Sequence, residues 1–137
     1  MGLELARQAI ATAVEAAKVG SPTTPLIIEY DNRIIVDTQT QTKPFLCVNM
    51  VLMDGRQADL NAKPIHRFDG QIHIAAAVKE GAGSADALKL LDHFYPQLHQ
   101  RALGILRTHM AKAAPMKPHL GWCYYPMLIP FWFDKTY

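Results

Sequence analysis

From Leu3 to Val19 the chain sets Leu3, Ala6, Ile10, Val14 and Ala17 on one stripe, while Glu4, Arg7, Gln8, Glu15 and Lys18 fall largely elsewhere. Spacings of three and four predict an amphipathic helix. Gly20 followed by Ser21-Pro22 supplies its stop, because glycine accepts a left-handed cap and proline cannot continue the ladder. The pattern then changes period. Leu26 to Tyr30 and Arg33 to Val36 are rich in β-branched residues around the polar pair Asp31-Asn32, which predicts one or two short strands. After the polar linker Thr38 to Lys43, the segment Phe45 to Met53 is apolar at both alternating positions except Asn49. Such a strand is expected to lie centrally or to be covered on both faces.

Asp54 to Pro64 is a polar arm that begins with the turn pair Asp54-Gly55. Gln71 to Lys79 alternates, with Ile72, Ile74, Ala76 and Val78 on one face and Gln71, His73 and Lys79 on the other, so one side of this strand should see water or a partner. Ser84 is placed as an N-cap for a second helix with Asp86 in its first turn, where negative charge suits the dipole. Ala87, Leu88, Leu91, Phe94 and Tyr95 form its apolar stripe and Pro96 is expected to end it. Leu103 to Met110 reads as a further strand weakened by Gly104, and Ala113 to His119, with Pro115 and Pro118, as a loop. Gly121 to Phe133 should close the sheet; Pro126 and Pro130 cannot donate to a ladder, so a bulge or an edge position is expected there. The order of elements has no regular βαβ alternation and predicts an α+β domain over 1–137, a mostly antiparallel mixed sheet with two helices packed on it.

Bulk properties narrow the classes. Apolar residues at 50% and charged residues at 19% of 137 describe one globular domain with a single core. A net charge of +2 without clustered Lys and Arg argues against a nucleic-acid binder. Phe45 to Met53 is too short to span a bilayer, which takes about 20 residues, and Met1-Gly2-Leu3-Glu4 lacks the basic and apolar regions of a signal peptide, so a cytoplasmic site of synthesis is expected. Cys47 and Cys123 each sit in an apolar strand and are expected as free buried thiols, with a disulfide as the alternative.

Chemistry is sparse. His66, His73, His93, His99, His109 and His119 match no zinc or catalytic spacing, and no phosphate loop or nucleophile elbow occurs. Asp92 beside His93 reads as surface decoration, since sequence neighbours diverge on a helix. Arg67-Phe68-Asp69-Gly70 fits two readings equally well, an Arg and an Asp brought together at the mouth of a strand or a turn carrying a charge pair that contributes little. The aromatic C-terminal segment, with Trp122, Tyr124, Tyr125, Phe131, Trp132 and Phe133, lacks the interleaved cations of a base-stacking platform. It fits core packing, or the buried centre of a protein contact, where Trp and Tyr are enriched.

In order along the chain, the N-terminal helix, the Lys43-Pro44-Phe45-Leu46-Cys47-Val48 strand opening and the polar arm with Gln57 are followed by Arg67 with Gly70. Gly81-Ala82-Gly83 then leads into a helix ending in Phe94, and Gly121-Trp122 begins a strand closing on Ile129-Pro130-Phe131. This arrangement resembles the tail-terminator proteins of siphophages, the lambda-type tail-completion family with its prophage relatives. A basic residue common in that family shortly after the Gly-Trp pair is replaced here by Cys123-Tyr124-Tyr125-Pro126.

The resemblance implies a structural, non-enzymatic virion protein without metal or cofactor: a homohexameric ring that caps the tail tube and ends its polymerisation. Its implied partners are other copies of itself, the major tail protein of the tube and a head-completion protein. No membrane and no sequence-specific nucleic acid is expected, with DNA passing through the ring, and its place is the virion tail, assembled in the host cytoplasm. The expected interface residues are Asp54, Arg56, Gln57, Asp59, Leu60, Lys63, Arg67, Trp122 and Tyr124. Folded as a hairpin, the arm would reach about 16 Å at roughly 3.3 Å per residue. Another head-tail connector, a minor tail protein or a small enzyme are the competing readings.

Overall fold

The computed structural model describes residues 2–23, 25–31, 36–57 and 65–136, with 2, 54–57, 65, 135 and 136 described by backbone alone. Helix α1 spans Gly2–Ala17 and α2 spans Ala85–Leu98. The strands are β1 Ile28–Tyr30, β2 Phe45–Gln57, β3 Ile65–Lys79, β4 Ala102–Leu103, β5 Leu106–Thr108, β6 Lys112–Ala113, β7 Lys117–His119 and β8 Trp122–Thr136. They form one curled sheet in the order β1-β2-β3-β8-β5-β4, with β6 and β7 also pairing β8. Only β1 and β2 are parallel among the pairs, so the fold is α+β with a mostly antiparallel mixed sheet, as the element order predicts.

The three long strands carry the architecture. β3 and β8 pair without interruption from Ile65 opposite Thr136 to Lys79 opposite Trp122. β2 and β3 pair from Phe45 opposite Ala77 to Gln57 opposite His66, with one register shift between Leu52 and Asp54. On the helix side, Ile72, Ile74, Ala76 and Val78 of β3 join Met127, Ile129, Phe131 and Phe133 of β8 in a buried cluster that includes Ile10 and Val14 of α1 and Leu90 and Phe94 of α2. Each such side chain removed from water contributes on the order of 1.5–3 kcal/mol, which is why the two periodicities, 3.6 in the helices and 2 in the strands, point to the same layer. On the opposite face a smaller cluster, Val36, Phe45, Ala77 and Trp122, covers one end of the sheet.

Several expectations are corrected. α2 does not end at Pro96; it continues to Leu98, where the His99 N–H donates to the Tyr95 carbonyl. Phe94 and Leu98 are buried on either side of the proline, and that packing outweighs the one helical bond a proline lacks in a last turn. Ser84 stands at the N-cap but its hydroxyl caps nothing; its carbonyl accepts from Leu88 N–H instead. Leu103 to Met110 is not one strand, because Gly104, at φ +58°, turns β4 back on β5. The Ala113 to His119 loop contains β7 and the end of β6.

β8 is neither bulged nor bare at its prolines. Ala114 N–H donates to the Pro126 carbonyl at 3.1 Å and His109 N–H to the Pro130 carbonyl at 2.8 Å. In an antiparallel strand the nitrogen and carbonyl of one residue face the same side. The missing donors at 126 and 130, four residues apart, therefore both face away from β3, toward a side that short strands cover only piecemeal. β2 is covered on both faces only in its first half. Phe45, Leu46 and Val48 are buried, whereas Val51, Leu52 and Met53 are 38%, 42% and 63% exposed.

Candidate interaction surface

The end of the sheet where β2 finishes, β3 begins and β8 finishes is its distal end. Here alternation places Asn49, Val51, Asp69, Gln71, His73, Leu128, Pro130 and Trp132 on the face away from the helices. Cross-strand rows run Asn49–His73–Leu128 and Val51–Gln71–Pro130. None of these residues is buried. A broad, mixed apolar and polar sheet face is thus left without a covering layer among the described residues, the pattern of a surface that a partner completes.

Arg67 gives this face its most ordered feature. Its Nε donates to Asp134 Oδ1 at 2.8 Å and a terminal nitrogen to Oδ2 at 2.9 Å, a bidentate pair across the β3–β8 ladder, where the two residues are partners. The guanidinium carbon also lies 4.2 Å from the centre of the Trp132 ring, a cation–π contact. The hydrogen bond to Asp134 raises the Arg67 pKa above its ordinary value. Arg67 therefore pairs with Asp134 and sits within a strand, which corrects the turn with an Arg67–Asp69 pair.

Directly behind, Phe68 stacks on Phe133 at 5.2 Å, and Phe131 lies so close over Gly70 that a Cβ there would come within 2.6 Å of the ring and 2.5 Å of the Val51 carbonyl. Gly70 is required by close approach: its Cα faces Leu52 on one side and Phe131 on the other, beside the register shift in β2.

The expected interface residues separate into three groups. Asp54, Arg56 and Gln57 belong to β2, which pairs with β3 where an independent arm was expected; Arg56 lies opposite Arg67. Asp59, Leu60 and Lys63 lie outside the described residues. Trp122 and Tyr124 lie at the other end of β8, about 40 Å and about 33 Å along the ladder from Arg67 at roughly 3.3 Å per residue. Trp122 is buried edge-on against Phe45 at 5.0 Å, its indole N–H donating to the Thr38 carbonyl at 3.1 Å. It is a core residue, and Tyr124 packs half-buried beside it. Trp132 and Asp134 were missed; their i, i+2 spacing on a strand signals that the two share a face, while only the register of β3 with β8 makes that face Arg67's.

The remaining chemistry is dispersed. Among the described residues no three of His, Cys, Asp or Glu gather as a metal site, and no helix is long and apolar enough to cross a membrane. His93 is not surface decoration: half-buried, its Nε2 lies 2.6 Å from the Ala17 carbonyl, satisfying one of the last carbonyls of α1. Cys47 and Cys123 are free; Cys47 packs with the small cluster and Cys123 with the main core, on opposite faces of the sheet. Burial, with Glu29 beside it, pushes the Cys47 thiol up to about 12, so it is a poor nucleophile near neutrality. An apolar notch of about 160 Å³ lies beside α2 and β6, lined by Leu88, Leu91, Asp92, Tyr95, Ala113 and Met127.

No protein-family model matches the chain, and no curated protein does. A solved structure of a protein whose name records no activity is similar, with a TM-score of 0.68 over 100% of this chain and 98% of its own, at 15% identity. At that identity the likeness shows the fold alone.

Proposed function

We propose that this chain is a structural assembly protein of the siphophage tail-terminator type, a ring subunit that caps the tail tube, stops its polymerisation and joins it to head-completion proteins. The observation that supports this reading best is the distal face that no described element covers, with Val51, Leu52 and Met53 exposed at that end. A protein whose work is to bind copies of itself and a tube needs such surface. It needs no converging titratable groups.

The test replaces Asp54 to Pro64 by an Asn-Gly turn, which shortens the β2–β3 hairpin while leaving the core pairs from Phe45 to Leu52 in place. The shortened gene is supplied to a phage lacking its tail terminator, and circular dichroism verifies that the domain folds. Failure of the wild-type chain to restore tails of defined length would overturn the reading. With the wild type active, tails of uncontrolled length from the folded variant are expected. Tails of correct length that do not join heads would favour the connector reading, and normal infectious particles would dissociate the hairpin from assembly.

A further inference from the structure

The β7–β8 hairpin ends in a turn whose residues do not match its backbone. His119 pairs Trp122, so Leu120 and Gly121 alone make the loop. Both have positive φ, +49° and +82°, the backbone of the type I′ turn that joins twisted strands. That backbone suits Asn-Gly, whereas a bulky side chain in the left-handed region is a steric outlier. Among the described residues the other non-glycine positions with positive φ are Asp31 and Gln100, both polar. Leu120 is also 81% exposed. Strain and exposed apolar surface thus fall on one side chain, where Asn would carry neither. The tip is nonetheless held in place: the Glu80 N–H donates to the Gly121 carbonyl at 2.8 Å, while a Cβ at Gly121 would meet nothing within 4 Å. Strain of this kind persists where it serves a contact.

We infer that Leu120 is an anchor that inserts into the apolar notch beside α2 and β6 of a second copy of this chain. This rests on the ring reading above and specifies one contact between its subunits. The notch is built from one face of α2, where Leu88, Leu91, Asp92 and Tyr95 recur at spacings of three and four, and is closed by Ala113 and Met127. Its volume of about 160 Å³ is in the range of apolar cavities, about 150 Å³, that take up a single small hydrocarbon. A leucine side chain is such a group. Leu88, 48% exposed in the single subunit, would be covered by it.

Charge and placement select a second copy as the occupant. Around the tip Lys79 and Lys117 stand against Glu80, and on α2 Asp86 and Asp92 stand against Lys89. Tip and notch therefore carry one net charge each, of opposite sign. None of these six residues belongs to an ion pair among the described residues, which leaves them to steer and register a contact between copies. A subunit cannot fill its own notch with its own tip, because Gly121 and Met127 are separated along extended chain by about 20 Å at roughly 3.3 Å per residue. Two different patches meet, which makes the contact heterologous, the type that closes into rings or runs on as a filament. A two-residue tip already fixed by its hairpin loses little freedom on docking.

The test uses the full chain. Leu120→Asn puts the favoured residue into the turn, so the melting temperature should rise, while association read by sedimentation should weaken about tenfold or more. A leucine with a purely structural role would not separate stability from assembly in this direction. Independently of that variant, p-benzoylphenylalanine in place of His119, irradiated at concentrations where sedimentation detects rings and digested for mass spectrometry, should cross-link to residues 88–95 of another copy. Rings that form from Leu120→Asn as readily as from wild type, or cross-links from residue 119 that reach only other segments, overturn the contact and leave the ring reading standing. Cross-links to residues 88–95 in assemblies that stop at two copies support the contact and overturn the ring reading. A wild-type chain that remains monomeric at every concentration and on tube ends overturns both.

Discussion

The two ends of the same three strands have opposite fates. At the end near Phe45, Ala77 and Trp122, the sheet is covered twice, by the helices on one face and by the small cluster on the other. At the distal end no described element covers the face away from the helices, and the strands carry Arg67 over Trp132, half-buried Gln71 and exposed Val51. Strand formation is equally complete at both ends, since β3 and β8 stay in register throughout. What differs is the second covering layer. A sheet needs one buried face to be stable; the other can be spent on recognition.

The largest test of this contrast is Trp122→Ala. Trp122 is 2% exposed and edge-packed on Phe45, and truncating a buried Trp typically costs about 3–5 kcal/mol. Denaturant unfolding of the purified chain should register that loss. A loss under about 1 kcal/mol would mean that the doubly covered end is not where stability resides. Gly70→Ala comes next. Its Cβ would meet a backbone carbonyl as well as the Phe131 ring, and because the carbonyl cannot rotate away, a cost of about 1–3 kcal/mol is expected from overpacking. Adding Phe131→Leu should recover part of it by removing the ring, and no recovery in a double-mutant comparison would locate the strain at the backbone alone.

How much of this was legible follows from which signals are local. The helix stripe of α1 and the alternation of Ile72 to Val78 are set by residues a few positions apart, and both are observed. Pro126 and Pro130 misled because a proline shows only that a donor is missing, and which side of the strand it faces depends on neighbours far along the chain. For the same reason Arg67 was given Asp69 as a partner: the true partner, Asp134, is 67 residues away and becomes adjacent only once β3 and β8 are in register. Phe45 to Met53 looked like one buried strand since composition cannot reveal where a covering layer stops. Trp122, expected in the core or at an interface, belongs to the core, while the open face is carried by Trp132, a neighbour in the same aromatic run.

Substitutions on the open end should have little effect on stability and a large one on assembly. Met53→Ser removes a side chain that is 63% exposed, so the unfolding free energy should stay within about 0.5 kcal/mol of wild type. Ring or tube-end binding, read by sedimentation, should weaken. Arg67→Ala should act in the same direction, and its difference from wild type should shrink as salt is added, because the bidentate pair it removes lies between partly exposed groups and is screened in the wild type. A variant at either position that unfolds readily yet assembles normally would reverse the roles assigned to the two ends.

The smallest effect concerns the boundary between them, at Cys47, which sits one row from the open Asn49–His73 row. Burial, reinforced by the Glu29 carboxylate that accepts from its Sγ, raises its pKa from an ordinary value of 9.0 to about 12. The sign follows directly. The folded state favours the neutral thiol, so the contribution to stability is fully present below about pH 9 and is lost as pH rises from there through 12. The expected observation is slow alkylation of Cys47 at pH 8 in the folded chain, fast alkylation after unfolding, and a decline in unfolding free energy confined to the alkaline side of pH 9. Cys47→Ser removes that thiol titration, so the decline measured for the wild type should shrink in the variant. If Cys47 in the folded protein reacts at pH 8 as fast as a free thiol, the covered end stops short of β2's third residue. The open face would then be larger than the distal rows alone.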